Sequence, residues 1–373
     1  MIWNANVISP SINLSSRMYS LFRPLLFKLD PETAHHLTLQ LIRLGAIRPF
    51  NFFLRMMFAA VRKPVEAFGL VFPNPVGLAA GYDKDGIAWR GLSTLGFGHI
   101  EIGTVTPLPQ PGNPRPRVYR LVEDEAVINR MGFPGKGSEF VVASLRKATR
   151  RRRINLLTGA PTTYAIRRPS SVILGVNIGK NKQTPNEEAV FDYLALLQNF
   201  APLADYIAIN VSSPNTVGLR RLQGRAALEE LLTQLAAQRR MEQTKLEKPI
   251  PLLVKLAPDL DNAELDDALD VILRTGMDGV IATNTTLGRD GLQSKDREET
   301  GGLSGSPLRV RSEALLSAAI KRLDGRIPVV SVGGIMCPED AKQRLDMGAA
   351  LVQVYTGMIY AGPGLVRKII RAV

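Results

Sequence analysis

From residue 70 onward, short apolar runs recur along the chain, and each leads through Gly, Asn, Lys or Thr into a stretch with helical periodicity. Continuous apolar strands that alternate with helices predict a parallel sheet covered on both faces. Eight such runs are present: Val76–Ala80, His99–Gly103, Val172–Ile178, Tyr206–Val211, Leu252–Leu256, Gly279–Thr283, Val329–Val332 and Leu351–Val354.

Eight strand–helix units favour an α/β fold of the closed (β/α)8 TIM-barrel type. An open, doubly wound sheet is the alternative. The Gly-x-Gly-x-x-Gly fingerprint that a dinucleotide-binding sheet carries at its first turn is missing here, which disfavours that alternative. We therefore expect a barrel with its chemistry at the carboxyl ends of the strands.

Residues 15–60 have a different pattern, that of short apolar helices with basic flanks. Asp30-Pro31-Glu32 predicts a helix start, with Asp as N-cap and Pro in the first turn. Beyond it, Ala34, Leu37, Leu41 and Leu44 share one helical face. Such helices suit either a membrane interface or a cap packed on its own domain, and periodicity alone does not separate these two possibilities.

Composition narrows the class of protein. The chain has 373 residues, of which 45% are hydrophobic, and a net charge of +13 that would attract polyanions. One cysteine, Cys337, and three histidines disfavour a disulfide framework and a metal centre, and indicate a reducing compartment. No window holds the roughly 18 uninterrupted apolar residues of a membrane span, and no secretory signal is evident. The run Arg150–Arg153 reads as a solvated loop.

Polar groups gather where the predicted strands end. The segment Asn210-Val-Ser-Ser-Pro-Asn215 directly follows an apolar run, so it brings amides and hydroxyls to a strand mouth. Glycines after strands seven and eight, and a predicted Gly-rich turn at 301–305, suit a phosphate-bearing ligand. The other strand-end groups include Lys84, Thr104, Asn177, Lys255, Thr283, Asn284, Thr285, Gly333, Gly334, Tyr355, Thr356 and Gly357.

The motifs in combination resemble those of class 2, quinone-linked dihydroorotate dehydrogenases, over nearly the whole chain. The matching segments are Ala79-Ala-Gly-Tyr-Asp-Lys84, Glu101-Ile-Gly-Thr-Val-Thr-Pro107, Pro114-Arg-Pro-Arg-Val-Tyr-Arg120, Asn129-Arg-Met-Gly-Phe133, Asn177-Ile-Gly-Lys-Asn-Lys182, Asn210-Val-Ser-Ser-Pro-Asn215, Val254-Lys-Leu-Ala-Pro-Asp259, Thr283-Asn-Thr285 and Thr300-Gly-Gly-Leu-Ser-Gly305.

The resemblance implies an enzyme of de novo pyrimidine biosynthesis that oxidises (S)-dihydroorotate to orotate with one FMN per chain. It assigns Ser213 as the base, where soluble class 1 enzymes carry Cys. Thr216 and Phe133 are candidate helpers, and residues 211–224 would form a lid. The implied substrate contacts are Lys84, Asn129, Arg130, Met131, Gly132, Phe133, Asn210, Asn215, Asn284 and Thr285. The implied FMN contacts are Ala80, Gly81, Tyr82, Asp83, Lys84, Thr104, Asn177, Asn210, Lys255, Thr283, Gly305, Gly334, Tyr355 and Thr356.

The resemblance also gives the N-terminal helices a role. Residues 1–65 would form a membrane-associated extension with a tunnel for ubiquinone or menaquinone, near His35 and Arg120, and residues 66–373 the FMN-binding barrel. We expect a monomeric peripheral protein on the cytoplasmic face of a bacterial cell membrane, with no nucleic-acid partner and no metal. Residues 148–171 are longer than the family's usual link, and Tyr82 stands where Phe or Leu is commoner.

Three alternatives remain. A soluble dihydroorotate dehydrogenase using fumarate or NAD would lack the helical extension and carry Cys in place of Ser213. A tRNA dihydrouridine synthase, which the basic charge would suit, needs a Cys acid near the flavin, whereas Cys337 follows the phosphate loop. An inactive membrane-binding protein has no need of the intact set of lysine, serine and asparagine residues.

Overall fold

The computed structural model describes residues 10–47, 49–58, 60–149 and 172–373. The strands are β1 (Val65–Ala67), β2 (Leu70–Phe72), β3 (Val76–Leu78), β4 (His99–Val105), β5 (Val118–Leu121), β6 (Ala126–Asn129), β7 (Ile173–Ile178), β8 (Tyr206–Asn210), β9 (Leu252–Leu256), β10 (Gly279–Ala282), β11 (Gly302–Gly305), β12 (Val329–Val332) and β13 (Leu351–Val354).

The helices surround these strands and precede them. They are α1 (Pro10–Lys28), α2 (Pro31–Leu44), α3 (Phe50–Phe58), α4 (Trp89–Leu92), α5 (Gly137–Thr149), α6 (Ala189–Phe200), α7 (Arg225–Leu246), α8 (Asn262–Arg274), α9 (Arg309–Leu323), α10 (Pro338–Asp346), α11 (Thr356–Ala361) and α12 (Gly364–Ala372).

Eight of the strands close into a parallel barrel, in the order β3-β4-β7-β8-β9-β10-β12-β13. They coincide with the eight predicted apolar runs to within two residues at each end, so the predicted TIM barrel is confirmed. Alternate residues serve two cores: Tyr206 and Ala208 pack inside the barrel, whereas Ile207 and Ile209 pack against the outer helices. The hairpin β1–β2 adds Phe68 and Phe72 to the inner core.

A small antiparallel sheet of β5, β6 and β11 accompanies the barrel. The prediction of a Gly-rich turn at residues 301–305 was wrong, because Gly302–Gly305 is strand β11 and pairs with Ala126–Asn129. Its glycines serve close backbone approach instead: a Cβ on Gly305, at φ 99°, would lie 2.3 Å from the carbonyl oxygen of Glu125. The long link at 148–171 lies outside the described residues, apart from the end of α5 at Thr149.

Three helices precede the barrel, as the N-terminal pattern predicted. The Asp30 carboxylate caps α2 by accepting a hydrogen bond from the backbone N–H of Thr33 at 2.9 Å, and Pro31 stands in the first turn. A buried ion pair ties this helix to the barrel side, because Glu32 accepts from Arg117 Nη2 at 2.7 Å. Large apolar side chains remain exposed on all three helices. Among the described residues, no helix is both long and apolar enough to cross a membrane.

Candidate active site

A cavity of about 620 Å³ begins at the carboxyl ends of the barrel strands and continues between α1, α2 and α3. Amides, hydroxyls and glycines line its barrel end, and apolar side chains line the part between the helices. The predicted site residues that line it are His35, Ala80, Gly81, Tyr82, Lys84, Thr104, Arg120, Asn129, Met131, Gly132, Phe133, Asn210, Ser213, Asn215, Lys255, Thr283, Asn284, Thr285, Gly305, Gly334, Tyr355 and Thr356.

Three predicted contacts do not line this cavity. The Asp83 carboxylate is fully buried and accepts hydrogen bonds from the backbone N–H groups of Ile87 and Ala88, so it shapes the turn after β3. The Arg130 guanidinium turns away to pair with Glu299. Asn177 lies one layer below the cavity, between other polar side chains. Nearby residues of the same segments line the cavity instead, such as Gly81 in place of Asp83 and Met131 in place of Arg130.

The segment from Asn210 to Asn215 is held by amide hydrogen bonds at both ends. Asn210 Nδ2 donates to Thr104 Oγ1 at 2.8 Å, and Asn284 Nδ2 donates to Asn210 Oδ1 at 3.3 Å. At the other end, Asn215 Nδ2 donates to Asn129 Oδ1 at 3.1 Å. Asn129, Asn210, Asn215 and Asn284, from separate loops and strand ends, therefore line one cavity.

Ser213 sits within this ring of amides. Its side chain is buried but lines the cavity, and its Oγ accepts a hydrogen bond from the backbone N–H of Asn215 at 3.3 Å. This bond uses only a lone pair, so the hydroxyl proton of Ser213 is not committed to it. Thr216 is equally buried, and its hydroxyl has no partner within the part of the chain that the structure describes.

Two more buried acceptors are available to a ligand. Among the described residues, neither Asn215 Oδ1 nor Gln353 Oε1 has a hydrogen-bond partner, and both side chains line the cavity. A buried acceptor left unpaired is costly, so the site suits a ligand that presents N–H groups. A heterocycle with ring N–H groups and carbonyls would match the donors and acceptors of these amides.

Two lysines line the cavity. Burial lowers the pKa of the Lys84 ammonium to about 8, against the attraction of Glu32 and Asp85, and its Nζ donates to the carbonyl of Gly81 at 2.7 Å. Burial also lowers the pKa of Lys255, whose Nζ lies 4.0 Å from Glu101 Oε1. An anionic ligand would offset the cost of enclosing these cations.

The polar residues under the cavity floor were not all anticipated. Glu101 is fully buried in β4 and accepts hydrogen bonds from Asn177, Tyr206 and Gln353. Its signal in the sequence is a lone acidic residue within the apolar run of β4. Arg220 was also missed: it donates to the carbonyl of Ser212 at 3.1 Å and to Asp259 at 2.8 Å.

Glycine-rich backbone lines the far end of the cavity, after β12 and β13. Gly333, Gly334 and Gly357 line it together with Thr356, whose hydroxyl donates to Ser304 Oγ at 2.9 Å. Gly334 has φ 72°, and a Cβ there would lie 2.3 Å from the Cα of Arg309, so only glycine fits. Such backbone exposes N–H groups, as a phosphate requires.

Aromatic and histidine side chains mark the passage from the barrel to the helices. The His35 ring meets the Tyr82 ring edge-on at 4.9 Å, and Tyr82 meets Tyr355 at 5.7 Å. Burial lowers the pKa of His35 to about 3, so the imidazole is neutral near pH 7. Arg120 stacks over Phe27 at 4.3 Å and donates to its carbonyl oxygen at 3.1 Å. Both predicted tunnel residues therefore lie on this passage.

The described residues contain no group of three or more His, Cys, Asp or Glu placed to bind a metal ion. The donor set of the cavity is instead one of amides, hydroxyls, lysines and backbone. It suits an organic, anionic ligand.

Known proteins share both the sequence and the fold. The family described as Dihydroorotate dehydrogenase matches residues 63–373. A protein of Idiomarina loihiensis named "Dihydroorotate dehydrogenase (quinone)" is 47% identical over 95% of this chain and 99% of its own length. A protein of Halorhodospira halophila with the same name is 48% identical over 95% of this chain and 97% of its own length.

Solved structures of a dihydroorotate dehydrogenase have a fold similar to that of this chain. The crystal structure of the Eimeria tenella enzyme DHODH in complex with ferulenol matches with a TM-score of 0.79 and 39% identity, and covers 92% of this chain and 90% of that chain. A ligand-free structure of the same enzyme matches with a TM-score of 0.78 and 40% identity, and covers 92% of this chain and 93% of that chain.

Proposed function

The chain belongs to the quinone-dependent dihydroorotate dehydrogenases, and we propose that it oxidises (S)-dihydroorotate to orotate through a bound FMN and passes the electrons to a membrane quinone. One observation carries the proposal: the same cavity joins a ring of amides at the barrel mouth to an apolar passage between the N-terminal helices. A polar substrate could therefore reach the cofactor from the barrel end of the cavity, and an apolar electron acceptor could reach it through the passage between the helices.

The residues present fit FMN. The glycine backbone around Gly334 and Gly305 would hold its phosphate, and Lys255, Thr104 and Asn210 would face the ring. When bound, FMN supplies a ring that accepts a hydride and later releases the electrons. The protein contributes position and charge: Lys255, which lines the cavity, would place a cation beside the ring that takes up the negative charge.

The amide ring fits dihydroorotate. Asn129, Asn215 and Asn284 can donate to carbonyl oxygens and accept from ring N–H groups, because an amide does both. Lys84 would bind the carboxylate. Ser213 would take the C5 proton, and the hydride from C6 would pass to the flavin, so that a C5–C6 double bond forms. A serine hydroxyl is a weak base in water. Ser213 is buried, and the buried Thr216 hydroxyl, three residues farther on, has no partner among the described residues, which supports a role in which water is excluded and the proton is relayed onward.

The N-terminal helices suit a membrane interface. Leu21, Leu25 and Phe52 are exposed, and Arg23 and Arg55 lie on the same helices. An exposed apolar face with cationic flanks binds anionic lipid without spanning the bilayer. We place the boundary between this extension and the barrel at residues 65 and 66, the protein on the cytoplasmic face of a bacterial membrane, and the quinone, ubiquinone or menaquinone, near His35 and Arg120.

An acceptor comparison tests the proposal. Purified, FMN-loaded protein should oxidise dihydroorotate with a quinone and fail to do so with fumarate or NAD, because mainly apolar side chains line the passage between the helices. Orotate formation is followed by absorbance with each acceptor in turn. Turnover with a soluble acceptor alone would refute the quinone assignment, and a colourless protein that cannot bind FMN would refute the cofactor.

A further inference from the structure

Glu101 is an enclosed carboxylate that the proposed reaction does not use. Its side chain is 0% exposed, inside the barrel and below the cavity. Asn177 Nδ2 donates to Oε1 at 2.8 Å, and Tyr206 and Gln353 donate to Oε2 at 3.0 and 2.9 Å. Every one of these contacts is a donor, and Lys255 adds a positive charge at 4.0 Å. The surroundings are therefore built for an ionised carboxylate.

An acceptor-only group at this place sets the direction of a hydrogen-bond chain. Because Asn177 must turn its NH₂ toward Glu101, its Oδ1 is left to accept from the Thr104 hydroxyl at 2.5 Å. The Thr104 oxygen also accepts from Asn210 Nδ2. Backbone N–H groups fix the amides farther along, because Ser212 donates to Asn210 Oδ1 at 3.2 Å and Thr285 donates to Asn284 Oδ1 at 2.8 Å. An acceptor-only carboxylate at Glu101 therefore sets the direction of Asn177 and of the Thr104 hydroxyl.

The Glu101 carboxylate also favours the protonated, charged form of Lys255. Burial lowers the pKa of Lys255, and the attraction of Glu101 opposes that effect. Three aromatic titratable groups belong to these surroundings: Tyr206 donates to Glu101, His99 packs against the Tyr206 ring at 6.4 Å, and Tyr355 lines the same cavity as Lys255. Burial raises the pKa values of Tyr206 and Tyr355 and lowers that of His99 to about 3, so all three are neutral near pH 7. Glu101 is thus the sole countercharge that the described residues offer to Lys255.

We propose that Glu101 is a positioning residue, which keeps Lys255 charged and, through the amide of Asn177, sets the direction in which the Thr104 hydroxyl donates. The proposal rests on FMN as an occupant of the cavity, since Lys255 and Thr104 both line it and would then face this cofactor.

The test is Glu101→Gln in the FMN-loaded protein, with Tyr206→Phe as the matched control. Glutamine keeps the size of the side chain but removes the countercharge, so Lys255 should lose its proton at lower pH. We expect a new ionisation in the flavin absorbance between about pH 6 and pH 10, with the midpoint potential falling as pH rises through it. Tyr206→Phe removes one hydrogen bond and no countercharge, and should show no such ionisation.

FMN binding reports on the direction of the Thr104 hydroxyl. The side-chain amide introduced by Glu101→Gln can donate as well as accept, so Asn177 can turn and no longer accept from Thr104, and the dissociation constant of FMN should rise about tenfold or more. A Glu101→Gln protein that keeps both the wild-type pH dependence of the flavin and the wild-type affinity for FMN would overturn the proposal.

A double-mutant cycle in the FMN-free protein separates this inference from the proposed function. Glu101→Gln and Lys255→Met each leave one buried charge alone, whereas the double variant removes both. If the pair is coupled, the double variant should be more stable than the single effects add up to, by about tenfold or more in the unfolding equilibrium. Recovery of folding in the double variant supports the pair even if Glu101→Gln does not fold, and strict additivity contradicts it. Failure of wild-type protein to bind FMN would refute only the proposed function.

Discussion

Ser213 shows how position could make a weak base effective. The hydroxyl lies among asparagine side chains, and the hydrogen bond that it accepts from the backbone N–H of Asn215 does not use its proton. Its side chain is buried, which would strengthen its interaction with a correctly placed partner. Lys84 illustrates the opposite case, a strong cation that burial brings close to losing its proton.

Replacement of Ser213 by Ala removes the proposed base. The rate of flavin reduction by dihydroorotate should fall by about 10²–10⁴-fold, since that is the usual range for a positioned acid or base, while orotate affinity changes little. Stopped-flow bleaching of the flavin measures the rate. Ser213→Cys is the matched variant: its thiol ionises more readily and should move the rise of the pH profile to lower pH. An Ala variant that bleaches at the wild-type rate excludes Ser213 as the base.

Orotate affinity should depend on the proton of Lys84. In the free protein its pKa is about 8, so below that pH the ammonium is present and binds the carboxylate. As pH rises through 8 the affinity should fall, because binding must then recover the lost proton. Lys84→Met should bind orotate about 10–100-fold more weakly and lack this pH dependence. Isothermal titration calorimetry at several pH values measures this affinity. An orotate affinity that does not change with pH in the wild type would contradict the assignment of Lys84.

At the scale of elements, the loops after the strands are held by a few long side chains. Arg220, in the short 3₁₀ helix Leu219–Gln223, bonds to Ser212 O at 3.1 Å, to Thr285 O at 2.9 Å and to Asp259 at 2.8 Å. One guanidinium thus joins the predicted lid to the ends of β8, β9 and β10. The planar guanidinium of Arg can donate to all three partners at once, whereas the single ammonium of Lys cannot reproduce this geometry.

We expect Arg220→Lys to raise the KM for dihydroorotate about tenfold and to lower kcat, because the segment carrying Ser213 loses its fixed position. Arg311→Lys is the matched control. Arg311 bonds to the other oxygen of Asp259 at 2.8 Å, but it is 45% exposed, and its bond runs to Asp259 and not to the loop. Steady-state kinetics of both variants measure KM and kcat. Equal changes at the two positions would mean that the kinetic effect comes from the lost contact with Asp259 and not from the position of the loop.

The whole molecule has two unlike surfaces. The barrel carries charged helices, whereas α1, α2 and α3 expose large apolar side chains over the entrance to the apolar passage. Such a face over such an entrance suits a lipid-borne acceptor. The expected monomeric state stays a prediction, which sedimentation of the purified protein would measure.

Charges on the apolar face should release the protein from membranes. In the double variant Leu21→Glu/Phe52→Glu, at side chains 74% and 72% exposed, binding to vesicles with anionic lipid should fall by about tenfold or more. Turnover should fall with a long-chain quinone and persist with a short, water-soluble one. Phe191→Glu, 66% exposed on α6 of the barrel, is the control and should leave both unchanged. Unaltered vesicle binding by the double variant would contradict the membrane assignment.

The sequence by itself determined the barrel. A parallel strand is covered on both faces, so it appears in the sequence as a nearly continuous apolar run. It also located many residues of the candidate cavity, since the chemistry of a barrel is expected directly after those runs. Only the tertiary structure decided the rest. Gly302–Gly305 is a strand because Ala126–Asn129 lies beside it, Arg130 turns outward toward Glu299, and Glu101 lies 4.0 Å from Lys255 on β9. Pairing across distant segments sets the charge and direction of a polar group, and no local pattern records it.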